Sequence, residues 1–120
     1  MVKKILVVDD EPDILKVIIF RLQKDGFEVK TASEGHQAME IVRAEKFDLV
    51  LLDITLPGLN GYEICSQIKA DENLKPIPVL FITASTPSEG FQERVEQVNA
   101  NGYVFKPFDY DALLEKIKEF

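Results

Sequence analysis

The chain has a single cysteine, a shortage of positive charge and no long apolar run. One cysteine, Cys65, excludes an intrachain disulfide and with it the small crosslinked secreted folds, so a cytoplasmic setting is expected. Cys65 stands between Ile64 and Ile68 on a stretch with helical spacing, which reads as a small buried hydrophobe rather than a reactive thiol. Charged residues make up 29% of the sequence and leave no apolar stretch long enough to cross a bilayer as a helix. The opening MVKKILVVDD is no signal segment either: its apolar run is too short and meets acids instead of small residues, so it reads as a first strand. Lys and Arg number 14 against 21 Asp and Glu, for a net charge of −7. That balance repels phosphate backbones and argues against nucleic-acid binding through bulk electrostatics, while permitting cations. Linkers, tandem repeats and low-complexity segments are also missing. The expectation is one domain, 1–120, large enough to bury its own core.

What is present is an alternation. Short apolar runs recur at Ile5 to Val8, Phe27 to Thr31, Leu49 to Leu52, Pro78 to Ile82 and Tyr103 to Phe105. Between them lie one-sided stripes at helical spacing: Ile14, Val17, Ile18 and Leu22; Ala38, Ile41 and Val42; Ile64, Cys65 and Ile68; Phe91, Val95 and Val98; Tyr110, Leu113, Leu114 and Ile117. Runs such as ILVV, LVLL and PVLFI are apolar at consecutive positions, as parallel strands covered on both faces require. The predicted fold class is therefore α/β, a doubly wound five-stranded parallel sheet with helices on both faces. Asp25-Gly26 closes the first helix, Ser33 caps the second, and Asn99 or Asn101 supplies a left-handed residue ending the fourth. The segment from Ser85 to Gly90 has the composition of a mobile loop.

In such sheets ligands sit beyond the carboxyl ends of the strands. The first strand ends in Asp9-Asp10-Glu11, the third in Asp53, the fourth in Thr83-Ala84-Ser85 and the fifth in Lys106-Pro107. Strand order 2-1-3-4-5 makes Asp9, Asp10 and Asp53 converge beside Thr83 and Lys106; order 3-2-1-4-5 separates Asp53 from Asp10. Periodicity does not choose between them, but the chemistry of the strand ends favours the first. Two ionised carboxylates about 5 Å apart repel by roughly 3 kcal/mol at an effective dielectric near 20, so three call for a counterion. The ligands are all oxygen and too few for a calcium cage, which fits Mg²⁺, or Mn²⁺ in its place, completed by water and phosphate. A carboxylate in such a site can be a nucleophile, with Lys106 and the Thr83 hydroxyl contacting phosphoryl oxygens.

Taken together, VVDD near the amino terminus, LLDITLPGLNG, FITA and YVFKPF resemble the receiver domain of two-component response regulators, a chemotaxis-regulator-like, flavodoxin-like fold. The resemblance covers essentially the whole chain. It implies that Asp53 is the phosphoacceptor, Asp10 a direct Mg²⁺ ligand, Asp9 a ligand through water or an acid behind the direct ligands, and the Thr55 carbonyl a further ligand. It implies that Thr83 and Lys106 contact the phosphoryl group, that Tyr103 swings inward with Thr83, and that a cis peptide bond precedes Pro107. Thr55 and Ser85 occupy positions that tune dephosphorylation in relatives. The implied partners are a sensor histidine kinase or histidine phosphotransfer protein and a downstream effector or output domain, with no direct nucleic-acid or membrane partner and with room for phosphorylation-dependent dimerisation.

Taken singly, these residues have ordinary structural readings: Asp10 as a helix cap before Pro12, Thr83 as a strand-end hydroxyl, Lys106 as a solvated charge, Tyr103 as core. His36 reads as solvent-facing. Three rival functions share parts of the pattern. A haloacid dehalogenase-like phosphatase wants a second acid two residues after its nucleophile, where this chain has Thr55. A flavodoxin-like module wants a Ser/Thr/Gly-rich first loop, where this chain has the acidic DDEPD. A constitutive interaction domain of the same fold has no use for the complete acid, Thr and Lys set.

Overall fold

Apolar residues at consecutive strand positions have to find partners on two faces, and the architecture supplies both. In the computed structural model, which describes residues 2–84, 89–106 and 109–120, strands and helices alternate as β1 (Lys4–Val8), α1 (Pro12–Lys24), β2 (Glu28–Ala32), α2 (Gly35–Ala44), β3 (Leu49–Asp53), α3 (Gly61–Ala70), β4 (Val79–Ala84), α4 (Phe91–Gln97), β5 (Gly102–Lys106) and α5 (Tyr110–Lys118). Every strand pairing is parallel and the order is β2-β1-β3-β4-β5. The predicted order 2-1-3-4-5 is the observed one. Ser85 and Pro107 lie outside the described residues, as does most of the loop that begins at Ser85.

Alternation along the strands sorts side chains between two cores. Leu6, Val8, Val50, Leu52, Val79 and Phe81 pack with α2, α3 and α4. Ile5, Val7, Leu49, Leu51, Leu80 and Ile82 pack instead with α1 and α5. The central strands are shielded on both sides, with Leu49 to Leu52 at 0% exposure. At about 25 cal/mol per Å² of buried apolar surface, this double covering is the main stabilising term.

Local chemistry ends the elements. Pro12 opens α1, and Asp25 ends it with Gly26 at φ +93°, a backbone open to glycine. Asn99, at φ 59°, is the left-handed residue after α4. Two expectations are corrected. Ser33 does not cap α2: Glu34 occupies the cap and its carboxylate accepts from the Gln37 N–H at 2.6 Å, while the Ser33 N–H donates to the Gln37 side chain at 3.0 Å. Val17 is not part of the buried stripe of α1: it is 60% exposed, next to Phe20 at 65%, because Ile18 and Leu22, with Ile14 and Leu15 partly buried beside them, make the contact with the sheet.

Candidate functional site

The β1, β3 and β5 carboxyl ends carry the charged residues, and the register brings them to one edge. Val8 pairs with Leu52 and Ala84 with Lys106, so Asp9, Asp53 and Lys106 emerge at the same end of the sheet. Asp53 is the last residue of β3, with 6% exposure, and Asp9 directly follows β1 with 0%. They are the two buried charged residues among those described. Asp10 and Glu11 beside them are exposed.

Short loops hold these carboxylates. Asp9 Oδ1 accepts from the Glu11 N–H at 2.9 Å, and Asp53 Oδ1 accepts from the Thr55 N–H at 3.1 Å. The turn after Asp53 is drawn tight by the Gly61 N–H, which donates to the Ile54 carbonyl at 2.8 Å. A Cβ on Gly61 would stand 2.5 Å from the Asp53 carbonyl oxygen, so only glycine admits this approach. Asn60 then caps α3 in a reciprocal pair with Glu63.

Lys106 lies over the carboxylates. Its Nζ stands 2.8 Å from Asp9 Oδ2, 2.9 Å from Glu11 Oε1 and 3.2 Å from Asp53 Oδ2. The contacts to Glu11 and Asp53 have hydrogen-bond geometry. The Asp9 contact does not, and leaves Asp9 Oδ2 a fully buried oxygen with an ion pair but no hydrogen bond. Burial pushes the Asp53 carboxyl above the ordinary carboxylate range and the Asp9 charge adds to this, against the pull of Lys106 and the Thr55 N–H. Burial alone would lower the Lys106 ammonium, but its close contacts with Asp9 and Glu11 and the charges of Asp53 and Asp9 outweigh that and raise it.

Asp9, Asp10, Glu11 and Asp53 each offer a carboxylate oxygen, all within 4.8 Å of one another. All-oxygen donors with a buried, under-bonded acceptor among them match a small hard cation.

Thr83 stands on β4 and Tyr103 on β5. Thr83 pairs with Phe105 on the neighbouring strand and shares the parity of Phe81, whose side chain faces the α4 side. Tyr103 packs there too, edge-on to Phe91 at 5.0 Å and tilted against Phe105 at 5.2 Å, and its hydroxyl accepts from the Gln92 side chain. The described contacts thus bring together Asp9, Asp10, Glu11, Asp53, the Thr55 N–H and Lys106, while Thr83 and Tyr103 stand on the adjoining strands β4 and β5. Sequence reasoning left Glu11 without a role, although it stands directly after the acid pair.

Comparison with known proteins gives this arrangement a family. A family model described as the response regulator receiver domain matches residues 5–118. The chain belongs to the response regulator receiver domains. This receiver domain is 36% identical over 118 residues to the DNA-binding response regulator MtrA of Mycolicibacterium smegmatis, covering 98% of the chain and 50% of MtrA. The chain thus spans about half the length of that curated relative. Among solved structures it is similar to the Vibrio cholerae chemotaxis protein CheY4, with a TM-score of 0.91, 29% identity and coverage of 99% and 98% of the two chains. It is also similar to a CheY-like response regulator receiver domain protein from Methanospirillum hungatei, with a TM-score of 0.89, 32% identity and coverage of 99% and 93%.

Proposed function

We propose that this receiver domain is a phosphorylation-driven switch in which Asp53 accepts a phosphoryl group from a phosphohistidine on a histidine kinase or phosphotransfer protein. A carboxylate oxygen of Asp53 attacks the phosphorus, the phosphorus–nitrogen bond breaks, and the imidazole leaves. The Thr55 N–H holds one Asp53 oxygen and Lys106 the other, so the carboxylate is oriented before the donor arrives. Lys106 also offers its positive charge to the oxygens of the transferring group. Asp10, Asp53 and the Thr55 carbonyl would hold Mg²⁺, with Asp9 supporting it through water, and the ion would neutralise phosphoryl charge there; Mn²⁺ has the same ligand preferences.

The aspartyl phosphate is dianionic and presents oxygens toward β4. The Thr83 hydroxyl moves to donate to one of them. That movement opens space on the α4 side, and Tyr103 leaves Gln92 to fill it, changing the face formed by α4, β5 and α5. Shifting such a switch from one part in a hundred to ninety-nine takes about 5.5 kcal/mol of differential stabilisation. An effector or output domain that prefers the altered face then reads the signal. In this role the chain catalyses its own phosphotransfer and hydrolysis and turns over no separate substrate.

The observation that supports this reading most is the pairing of a nearly buried Asp53 with Lys106 at 3.2 Å beside Asp9. Incubation with acetyl phosphate and Mg²⁺ is expected to add one phosphoryl mass that is labile in base. An Asp53→Asn variant that gains the same mass to the same extent would refute the assignment.

A further inference from the structure

Glu11 occupies the N-cap position of α1, yet its side chain makes no cap hydrogen bond. It reaches instead to Lys106, 95 residues away in sequence, at 2.9 Å. An ammonium carries three hydrogens, and Lys106 Nζ has three carboxylates within 3.2 Å: Asp9, Glu11 and Asp53. Two of those hydrogens are held by Glu11 and Asp53, and the Asp9 charge stands 2.8 Å from the ammonium, so a phosphoryl oxygen reaching Lys106 competes with carboxylates already in place. The three are not equal. The Asp9 side chain is 0% exposed and its Oδ2 has no hydrogen-bond partner to fall back on. The Asp53 side chain is 8% exposed and is itself the proposed acceptor. Glu11 is 56% exposed, so water can take over its carboxylate as soon as it is released.

We propose that Glu11 is a positioning residue, the exchangeable partner of Lys106 that holds the ammonium over Asp53 in the unphosphorylated domain and competes with phosphoryl oxygens for it. This rests on the reading of Asp53 as phosphoacceptor. Glu11 acts as a brake: it keeps Lys106 in place, and each phosphate-bearing donor must displace it. Its own backbone is fixed independently, through the bond from its N–H to Asp9, so changing the side chain leaves the loop and the start of α1 in place.

The test compares wild type with Glu11→Gln and Glu11→Asp in two measurements. In the first, without divalent cation, inorganic phosphate is titrated while the NMR signals of the Lys106 side chain are followed. Glu11→Gln is expected to bind phosphate roughly fivefold more tightly, the size of an exposed ion pair, and Glu11→Asp to bind like wild type. In the second, with Mg²⁺, phosphorylation by acetyl phosphate is timed against donor concentration; the phosphorus–oxygen bond of the donor breaks and acetate leaves. The Gln variant is expected to reach half-maximal rate at about one-fifth of the wild-type donor concentration. Equal phosphate affinity and equal donor dependence in wild type and the Gln variant would overturn the role of Glu11. Failure of all three proteins to gain a phosphoryl group would instead overturn the assignment of Asp53, and the cation-free phosphate titration tells the two failures apart.

Discussion

An aspartate at 6% exposure beside another at 0% destabilises the fold that holds it, unless something neutralises both. Lys106 does this in part, and two predictions follow from how incomplete its effect is. Replacing Asp53 with Asn removes the like charge from Asp9 while keeping the shape. Because burial raises the Asp53 carboxyl above its ordinary range, the folded state holds that proton more tightly than the unfolded chain, and wild-type stability falls as pH rises out of the ordinary carboxylate range. Asp53→Asn is therefore expected to be more stable than wild type at pH 7 without divalent cation. Solvent on the exposed side of the cluster, where Asp10 and Glu11 stand, limits the gain to about 1 kcal/mol, or ~4 °C in Tm. The advantage should fade as the pH falls to where wild type binds its proton; a variant no more stable at pH 7 in a thermal melt would show that Lys106 already balances the site. Lys106→Ala does the reverse, leaving Asp9 Oδ2 buried with no counter-charge. A loss of about 2 kcal/mol is expected in urea unfolding, and no loss would mean that water compensates for the lysine. Asp53 is legible in the sequence because a charge ending an apolar run breaks its pattern. The tie between Glu11 and Lys106 is not, because Glu11 before Pro12 looks like the start of any helix and its partner lies on the last strand.

At the scale of elements, strand order is legible only through chemistry. Periodicity marks Leu49 to Leu52 as a doubly covered strand, and the arrangement of acids then selects β1 as its neighbour, as the pairing of Val8 with Leu52 shows. Helix faces are read less well. The spacing of Val17 matches a buried stripe, yet α1 crosses the sheet using Ile18 and Leu22 and leaves Val17 and Phe20 outside; hydrophobicity alone does not fix the rotation of a helix about its axis. Stability should follow the observed rotation. Leu22→Ala is expected to cost about 3 kcal/mol through lost burial and a cavity, whereas Phe20→Ser should change stability by no more than about 0.5 kcal/mol. Similar losses from the two would place Phe20 in the core. The turn after Asp53 couples an element boundary to the site. Gly61→Ala forces a Cβ toward the Asp53 carbonyl oxygen, 2.5 Å away, so the end of β3 or the start of α3 must shift. A cost of about 2 kcal/mol is expected, together with slower gain of phosphoryl mass; a variant with wild-type stability and rate would mean the loop yields without moving Asp53.

At the scale of the whole molecule, the site and the fold share one equilibrium. With 120 residues and a radius of gyration of 13.0 Å, the domain is of a size that unfolds in a single step, so any ligand of the native carboxylate cluster registers as global stability. The unfolded chain disperses Asp9, Asp10 and Asp53, and has no equivalent site. Mg²⁺ at a hundred times its dissociation constant is expected to add about 2.7 kcal/mol, roughly 10 °C in Tm for a domain of this size. A net charge of −7 complicates the measurement, since any salt screens self-repulsion and stabilises somewhat. The comparison must therefore be with NaCl at equal ionic strength, which supplies screening without a divalent ligand. Asp10→Asn gives the second control, because it removes an exposed carboxylate oxygen from the cluster without disturbing the buried pair. If the cluster binds Mg²⁺, wild type gains far more from Mg²⁺ than from NaCl, and Asp10→Asn loses most of the difference. If both proteins respond alike to both salts, the stabilisation is diffuse screening, and the proximity of the four carboxylates is a cost that Lys106 bears alone.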